Sequence, residues 1–339
     1  MHFYRTQKKN AILAVILNWN ETDITRRCVK SLVTQKDSTV DILIVDNNST
    51  EDPTNILLSE FLTIKLIINN ENLGVPGGRN VGIHYAIEHG YEFILFFDND
   101  AYADKNMVKK LMDSAKRNPS AGILGPKIFC ENPSDIIWRA GCTSWKWTYL
   151  HAGFEISNFF YKFFKIIPPS FLDTKRGEGQ KDLPRYNIEK QIRFQIGCCQ
   201  LIRMKTFLKV GIMDEDFSLY GSEDIDFCDR MMRAGFKIMY IPEAICWHRV
   251  TSSFNDDYSR TFNNNKNIIL LARKNLSFLY FWSLFIPDYI LLTIPLIILK
   301  YIIQRKYKSI KGFLNAIVWN IKDVRKRGIF LWDRDSLKV

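Results

Sequence analysis

The feature that most constrains this chain is a unit repeated through its first 130 residues. A short, continuously apolar run ends abruptly in polar or acidic residues, and an amphipathic segment follows. "AILAVIL" (Ala11–Leu17) ends in "NWN", and "VDILIVD" (Val40–Asp46) passes into "NNSTEDP". "TIKLIIN" (Thr63–Asn69) passes into "NEN", and "FILFF" (Phe93–Phe97) into "DND". Runs this short have strand length, and the segments between them have helix length. Their alternation predicts an α/β fold with a mostly parallel central sheet. Ligands of such sheets gather beyond the carboxyl ends of the strands, so the polar ends should share one rim.

The 339 residues are 47% hydrophobic, enough for a substantial core. The formal net charge of +11 calls for an anionic partner. It is concentrated late in the chain. "LSFLYFWSLFIPDYILLTIPLIILKYII" (Leu276–Ile303) is apolar with two charges, is interrupted by Pro287 and Pro295, and is followed by Lys300–Lys311 and Lys322–Arg327 basic clusters. Apolar helices beside basic clusters suit an anionic membrane surface, through peripheral, monotopic or re-entrant attachment; the alternative is a buried helical cap. The aromatic–basic interleaving of a strand-binding groove is missing, which argues against nucleic acid. Seven cysteines without C-x-x-C spacing are expected as reduced core residues of a cytoplasmic protein. The polar, basic start lacks the pattern of a signal peptide. The stretch from Cys130 to Arg193 is aperiodic. It is expected to be an irregular excursion lining a pocket, with a flexible loop near "KRGEGQKD". "KIMYIP" and "AICWH" are expected as two separate apolar runs.

Four places can carry chemistry. Side chains alternate along extended chain, so Asp98 and Asp100 can face the same way and share one divalent ion. Mg²⁺ and Mn²⁺ take oxygen ligands, often few carboxylates plus substrate phosphates. A plain Asx turn closing the strand would use the same residues. In "GSEDIDFCDRMMRAG", Glu223, Asp224, Asp226 and Asp229 crowd a helix start, where acids are favoured in any case. Asp224 there can take the proton of a hydroxyl as a general base. His248, ending "AICWH", is either a core histidine or completes a cation site. In "NENLGVPGGRNVG", Gly74, Gly77 and Gly78 give backbone freedom, the next helix offers N–H groups to an anion, and Arg79 adds a fork of donors. The loop is neither a P-loop nor a dinucleotide fingerprint after the first strand. A sugar nucleotidyltransferase would need a glycine-rich loop where this chain has "NWNETD".

The order of these elements is more specific than any one. "VILNWN", "ILIVDNNSTED", "NENLGVPGGRNVG", "FFDNDA", "GSEDIDFCDRMMRAGFKIMYIPEAICWH" and "FNNNKNIILLARKN" together resemble family 2 glycosyltransferases, in their rhamnosyltransferase-like and galactofuranosyltransferase-like branch. The resemblance runs from about Ala11 to Asn275. It implies a GT-A fold, a Rossmann-like mixed sheet of seven or eight strands flanked by helices, over residues 1–275. Residues 1–130 would form the nucleotide-binding half and 131–275 the acceptor and catalytic half, with 276–339 a helical extension for membrane attachment.

By the same resemblance, Asp98, Asp100 and His248 would hold Mn²⁺ or Mg²⁺, with Asp100 the more direct ligand. Asp224 would be the catalytic base. Asn18, Asn20, Asp46, Gly77, Gly78, Arg79, Asp98 and Glu223 would meet the nucleotide-diphospho-sugar. Trp138, Trp145 and Trp147 would lie toward the acceptor. The reaction implied is one displacement with inversion, onto a glycan or lipid-linked glycan at the cytoplasmic face of the plasma membrane. Rhamnose is the first expectation for the sugar; galactofuranose, N-acetylglucosamine, glucose and galactose are the alternatives. A catalytically silent binding protein is disfavoured because Asp98, Asp100, Asp224 and His248 are all present. The chain departs from many relatives at Val75-Pro76, where proline stiffens the donor loop.

Overall fold

The computed structural model describes residues 12–37, 39–142, 176–219, 221–249, 256–331 and 337. Trp145, Trp147 and the aromatic run at 159–164 lie outside the described residues.

The first half follows the alternation closely. Strand β1 (Ile12–Asn18), helix α1 (Thr22–Val33), β2 (Val40–Asp46), α2 (Thr54–Glu60), β3 (Lys65–Ile68), α3 (Gly74–Glu88) and β4 (Phe93–Phe97) come in sequence. Then follow β5 (Ala101–Ala103), α4 (Met107–Arg117), β6 (Ala121–Cys130), β7 (Ile136–Arg139), β8 (Gln180–Lys181), β9 (Lys190–Ile192) and β10 (Cys199–Arg203). Helices α5 (Met204–Val210) and α6 (Glu223–Arg233), strand β11 (Lys237–His248) and helix α7 (Asp257–Asn275) complete the sheet region.

The sheet order is β3-β2-β1-β4-β10-β6-β11-β5, with β7, β8 and β9 paired outside that path. Strands β1, β2, β3 and β4 run parallel. Strand β10 is antiparallel to both β4 and β6, so β6 and its parallel neighbour β11 again point the same way as β4. The carboxyl ends of β1, β2, β4 and β11 therefore share one rim. The sheet is mixed, and at eleven strands larger than the resemblance implies. The extra pairings come from the aperiodic middle of the chain, whose two- to four-residue strands are too short to show a period.

Both faces of the sheet are covered at its centre, which is why strands such as β1 and β4 are apolar along nearly their whole length. Ile12, Ala14 and Ile16 point into a core with Cys28, Val29 and Leu32 of α1 and Met107, Val108 and Leu111 of α4. Leu13 and Val15 point the other way, into a core with Ile83 of α3 and Phe227 and Met231 of α6. Six of the seven cysteines are buried.

Four local expectations are corrected. "KIMYIP" and "AICWH" form one strand, continuous through a register shift between Ile241 and Ile245 against β6. The glycine-rich loop is largely the first turns of α3, which begins at Gly74. Gly77 and Gly78 are not needed for backbone freedom: only Gly74 has positive φ, at 69°. They allow close approach, since a Cβ on Gly78 would lie 2.9 Å from Leu17 Cδ2 and 3.0 Å from Asn47 Nδ2. Nor does the helix start offer its amides to an anion. Gly74 N–H donates to Asn72 Oδ1, Val75 N–H donates to the Leu219 carbonyl, and Pro76 has none.

Prolines 287 and 295 do not break the tail. Helix α8 (Phe278–Ile303) is continuous, with π-turns at Phe281–Phe285 and Tyr289–Thr293 just before the prolines. A wider turn relieves the clash of a proline ring with the preceding carbonyls. Helix α9 (Tyr307–Arg327) follows. Phe281, Phe285, Tyr289 and Phe313 pack with Leu270 and Leu271 of α7 in a third core.

A close helix–sheet contact is at Gly82, where an added Cβ would lie 2.6 and 2.7 Å from the two methyls of Val15. Gly82→Ala gains up to about 1 kcal/mol of helix propensity, but overpacking a β-branched core residue costs about 1–3 kcal/mol. A net loss of stability is expected in urea unfolding, with the slope against urea unchanged.

Candidate active site

At the shared rim lies a cavity of about 410 Å³. Its polar lining includes Asn18, Arg79, Asp98, Asp100, Glu223, Asp224 and His248.

The acid-rich turn after β4 meets the end of β11. Strand β5 pairs antiparallel with β11, Ala101 opposite His248, which brings Asp100 to the imidazole. His248 Nε2 lies 2.9 Å from Asp100 Oδ1 and 3.8 Å from Asp98 Oδ2, and the ring stacks on Trp138 at 4.3 Å between centroids. Burial disfavours the imidazolium, but the hydrogen bond and charge of Asp100, with Asp98 beyond it, outweigh burial and raise the His248 pKa. A positive charge is favoured between these two carboxylates, and a metal cation would be stabilised there in place of the ring proton.

Ligand atoms of Asp98, His248 and Cys198 lie within 4.8 Å of one another. The Cys198 thiol, pushed well up by burial, stays protonated and has little to offer a hard ion. The carboxylate and imidazole suit Mn²⁺ or Mg²⁺ better. Asp98 is the more open acid, its side chain 38% exposed against 9% for Asp100, which is engaged with His248. Asp98 in turn pairs with Arg79 at 3.2 Å, so both acids remain candidate ligands.

Across the cavity, Gly221 and Ser222 take positive φ and turn the chain into α6, at whose first turn Glu223 and Asp224 sit. Asp224 Oδ2 accepts from the Gly197 N–H at 3.0 Å, and Oδ1 accepts from the Ile225 N–H at 2.8 Å. Burial raises the Asp224 pKa, and the Gly197 N–H and Arg79 oppose that rise. For Glu223, burial first and the Asp224 charge second push the pKa up to about 8, against the opposing effect of Arg79 and of main-chain hydrogen bonds, and its Oε2 finds no partner among the described residues.

Arg79 lies between the two clusters. Its Nη2 donates to Asp98 Oδ1 at 3.2 Å and to the Gly197 carbonyl at 2.9 Å, while its buried Nη1 has no partner among the described residues. A Cβ on Gly197 would come within 2.8 Å of that Nη1.

Residues 14–211 match the model of glycosyl transferase family 2, more than half of the chain. The chain belongs to this family. A second model, the N-terminal domain of galactosyltransferase, matches residues 180–252 of the transferase. It is similar to the dTDP-rhamnosyl transferase RfbF of Shigella flexneri, at 33% identity over 70% of this chain and 69% of that protein. It is also similar to the N-acetylglucosaminyl-diphospho-decaprenol L-rhamnosyltransferase of Mycobacterium tuberculosis, at 23% identity over 74% of this chain and 80% of that protein. A crystal structure of GalNAc-T7 with UDP, GalNAc and Mn²⁺ overlays with a TM-score of 0.57 at 15% identity, over 79% of this chain and 48% of that one. The transferase has the GT-A fold.

Four sequence candidates are not in the cavity lining. Asp46 is fully buried, accepting from Asn18 Nδ2 at 2.6 Å and from the Ser49 N–H and hydroxyl. Asn20 ties the β1 loop to the β2 loop, accepting from the Thr50 N–H while its own N–H donates to Ser49 Oγ. Gly77 and Gly78 are packing positions. Conversely, Asn47, Asn72, Gly197, Leu219, Arg260 and Asn264 line the cavity without having stood out in the sequence. Arg260 and Asn264, four apart on α7, share a helix face, but nothing local said which face met the cavity.

Glu223 sets a pH dependence. Its folded pKa of about 8 is above its ordinary 4.5. Protonated Glu223 therefore contributes stability that is full below pH about 4.5 and is lost as pH rises through about 8. Glu223→Gln is expected to flatten the fall in melting temperature across that window; an unchanged slope would assign it to another group.

Proposed function

We propose that this glycosyltransferase moves rhamnose from a nucleotide-diphospho-rhamnose to a glycan or lipid-linked glycan, by one inverting displacement that depends on a divalent cation. The observation that carries the reading is Asp224: a buried carboxylate held by two main-chain N–H groups, in one cavity with Asp98, Arg79 and His248. The choice of sugar is supported by the two rhamnosyltransferases to which the chain is similar.

Asp224 accepts the acceptor hydroxyl's proton as that oxygen bonds to the anomeric carbon and the nucleoside diphosphate leaves. Its carboxylate is poised for this: burial raises its basicity, while the two N–H groups fix its direction. One displacement needs no covalent enzyme intermediate, so no second nucleophilic carboxylate is required. Mn²⁺ or Mg²⁺ held among Asp98, Asp100 and His248 would supply Lewis-acid charge for the leaving diphosphate. Arg79 keeps one N–H on Asp98 and has Nη1 left for a donor oxygen. Asn18, aimed by Asp46 and Thr25, and Asn47, bonded to the Gly74 carbonyl, form the wall for the nucleoside.

Asp224→Asn keeps the shape and removes the base. With dTDP-rhamnose and a glycan acceptor, transfer is expected to fall about 10²–10⁴-fold while donor affinity in calorimetry stays within a few-fold. Full transfer by the variant would overturn the base assignment. Transfer by the wild type is expected to stop on chelation with EDTA and to return with added Mn²⁺; activity that persists in EDTA would overturn the metal dependence.

A further inference from the structure

We propose that helices α8 and α9 form a hairpin that lies in the plane of an anionic lipid bilayer, seating the catalytic cavity beside the headgroups. By length and composition α8 could cross a membrane, at 26 residues and mean hydropathy 1.9. Its packing points elsewhere. Phe281, Phe285, Tyr289 and Thr293 are buried at four-residue spacing. An α-helix with about 3.6 residues per turn would carry such a series gradually around its surface. The two π-turns hold more residues per turn and keep the four side chains on one line. That line is committed to the protein's own core, against Leu270 and Leu271 of α7 and Phe313 of α9. A spanning helix would have to surrender it, or draw the buried Lys266, Arg273 and Lys274 of α7 toward hydrocarbon.

The outer face of α8 is apolar and uncovered. Leu279 and Leu291 are 71% and 70% exposed, and Trp282, Ile290 and Leu299 are exposed with them. This exceeds the scattered apolar exposure of a soluble surface. Charge selects the occupant. Residues 289–322 contain six lysines and arginines and no acid. Lys300, Arg305, Lys308 and Lys311 are exposed around the elbow between the two helices. An apolar face rimmed by basic residues fits an anionic headgroup layer, and two copies of this chain joined there would oppose like charges.

The elbow is also close to the cavity. Lys306 pairs with Asp257 of α7 at 3.2 Å, and Asp257 lies 3.7 Å from Arg260, which lines the cavity. Gly312 lets α9 pack so closely on α7 that a Cβ there would sit 2.6 Å from the Tyr258 carbonyl oxygen. A bilayer at the elbow thus lies about one helical turn from the cavity wall.

Vesicle flotation of the full chain tests the docking without any sugar transfer, so its outcome is separate from that of the transfer reading. Wild type is expected to float with phosphatidylglycerol-containing vesicles and at least tenfold more weakly with phosphatidylcholine alone. Lys308→Glu/Lys311→Glu should lose the preference for anionic lipid. Leu279→Glu/Leu291→Glu, both on the exposed face, should lose binding with an unchanged melting curve. On sealed vesicles, cysteines placed at Ser277 and Gln304 should both react with an impermeant maleimide. Protection of one end would show a span and overturn the in-plane arrangement. A chain that floats with neither vesicle would overturn membrane docking, as would a dimer that Leu279→Glu/Leu291→Glu turns into a monomer without changing flotation.

Discussion

The site depends on one piece of sheet pairing, the three residues of β5 laid antiparallel along the end of β11. The register Ala101 to His248 joins an acid turn at residue 98 to a histidine 150 residues later in the chain. It works because β10 has the same orientation relative to both of its neighbours. With β10 antiparallel to β4 and to β6 alike, the strands on either side keep a common direction, and β11 delivers His248 to the rim where β4 delivers Asp98. The cost of burying carboxylates and an imidazole together is offset locally by their mutual charge, and by Arg79 on Asp98.

The other half of the cavity is held differently. The segment carrying Leu219, Gly221 and Ser222 has three residues with positive φ, a conformation that persists only when its surroundings hold it. They do so from two sides. The Val75 N–H donates to the Leu219 carbonyl, and a side chain on Gly74 would collide with the Leu219 backbone at 2.6 Å. From α7, Asn267 donates to the Gly221 carbonyl, Lys266 donates to Ser218, and Lys274 pairs with Asp214 and Asp216. Lys266, Asn267 and Lys274 of "FNNNKNIILLARKN" are thus anchors of the segment that carries this strained turn. Arg273, bonded to Asp323 and to main-chain carbonyls at Gly328 and Ile329, and Arg327, paired with Asp216, extend that anchoring to α9. The C-terminal helices are therefore structural partners of the turn that leads into α6 as well as a candidate lipid-facing surface.

Much of this was legible because period and composition are local. Buried parallel strands are apolar on both faces, so "AILAVIL" and "FILFF" stood out, and their polar ends marked the rim. The glycines were legible as important but for the wrong reason: identity alone does not separate a positive φ, as at Gly74, from close packing, as at Gly77, Gly78 and Gly82. Asp46 shows the same limit. An acid at a strand end looks the same whether it meets a ligand or aims Asn18 from behind.

The sequence by itself determined the α/β class, the strands of the first 130 residues, and which residue types can supply acid, base and cation-binding chemistry, because each depends on neighbours a few positions away. Tertiary structure decided which of those residues share a cavity, that Asp98 is more open than Asp100, and that burial raises both Glu223 and Asp224. Those outcomes follow from burial and from contacts across distant parts of the chain, such as the Gly197 N–H on Asp224. The tail shows the division most plainly. Its sequence indicated apolar helices interrupted by Pro287 and Pro295, whereas the structure shows one continuous helix with one face packed on α7 and the other exposed.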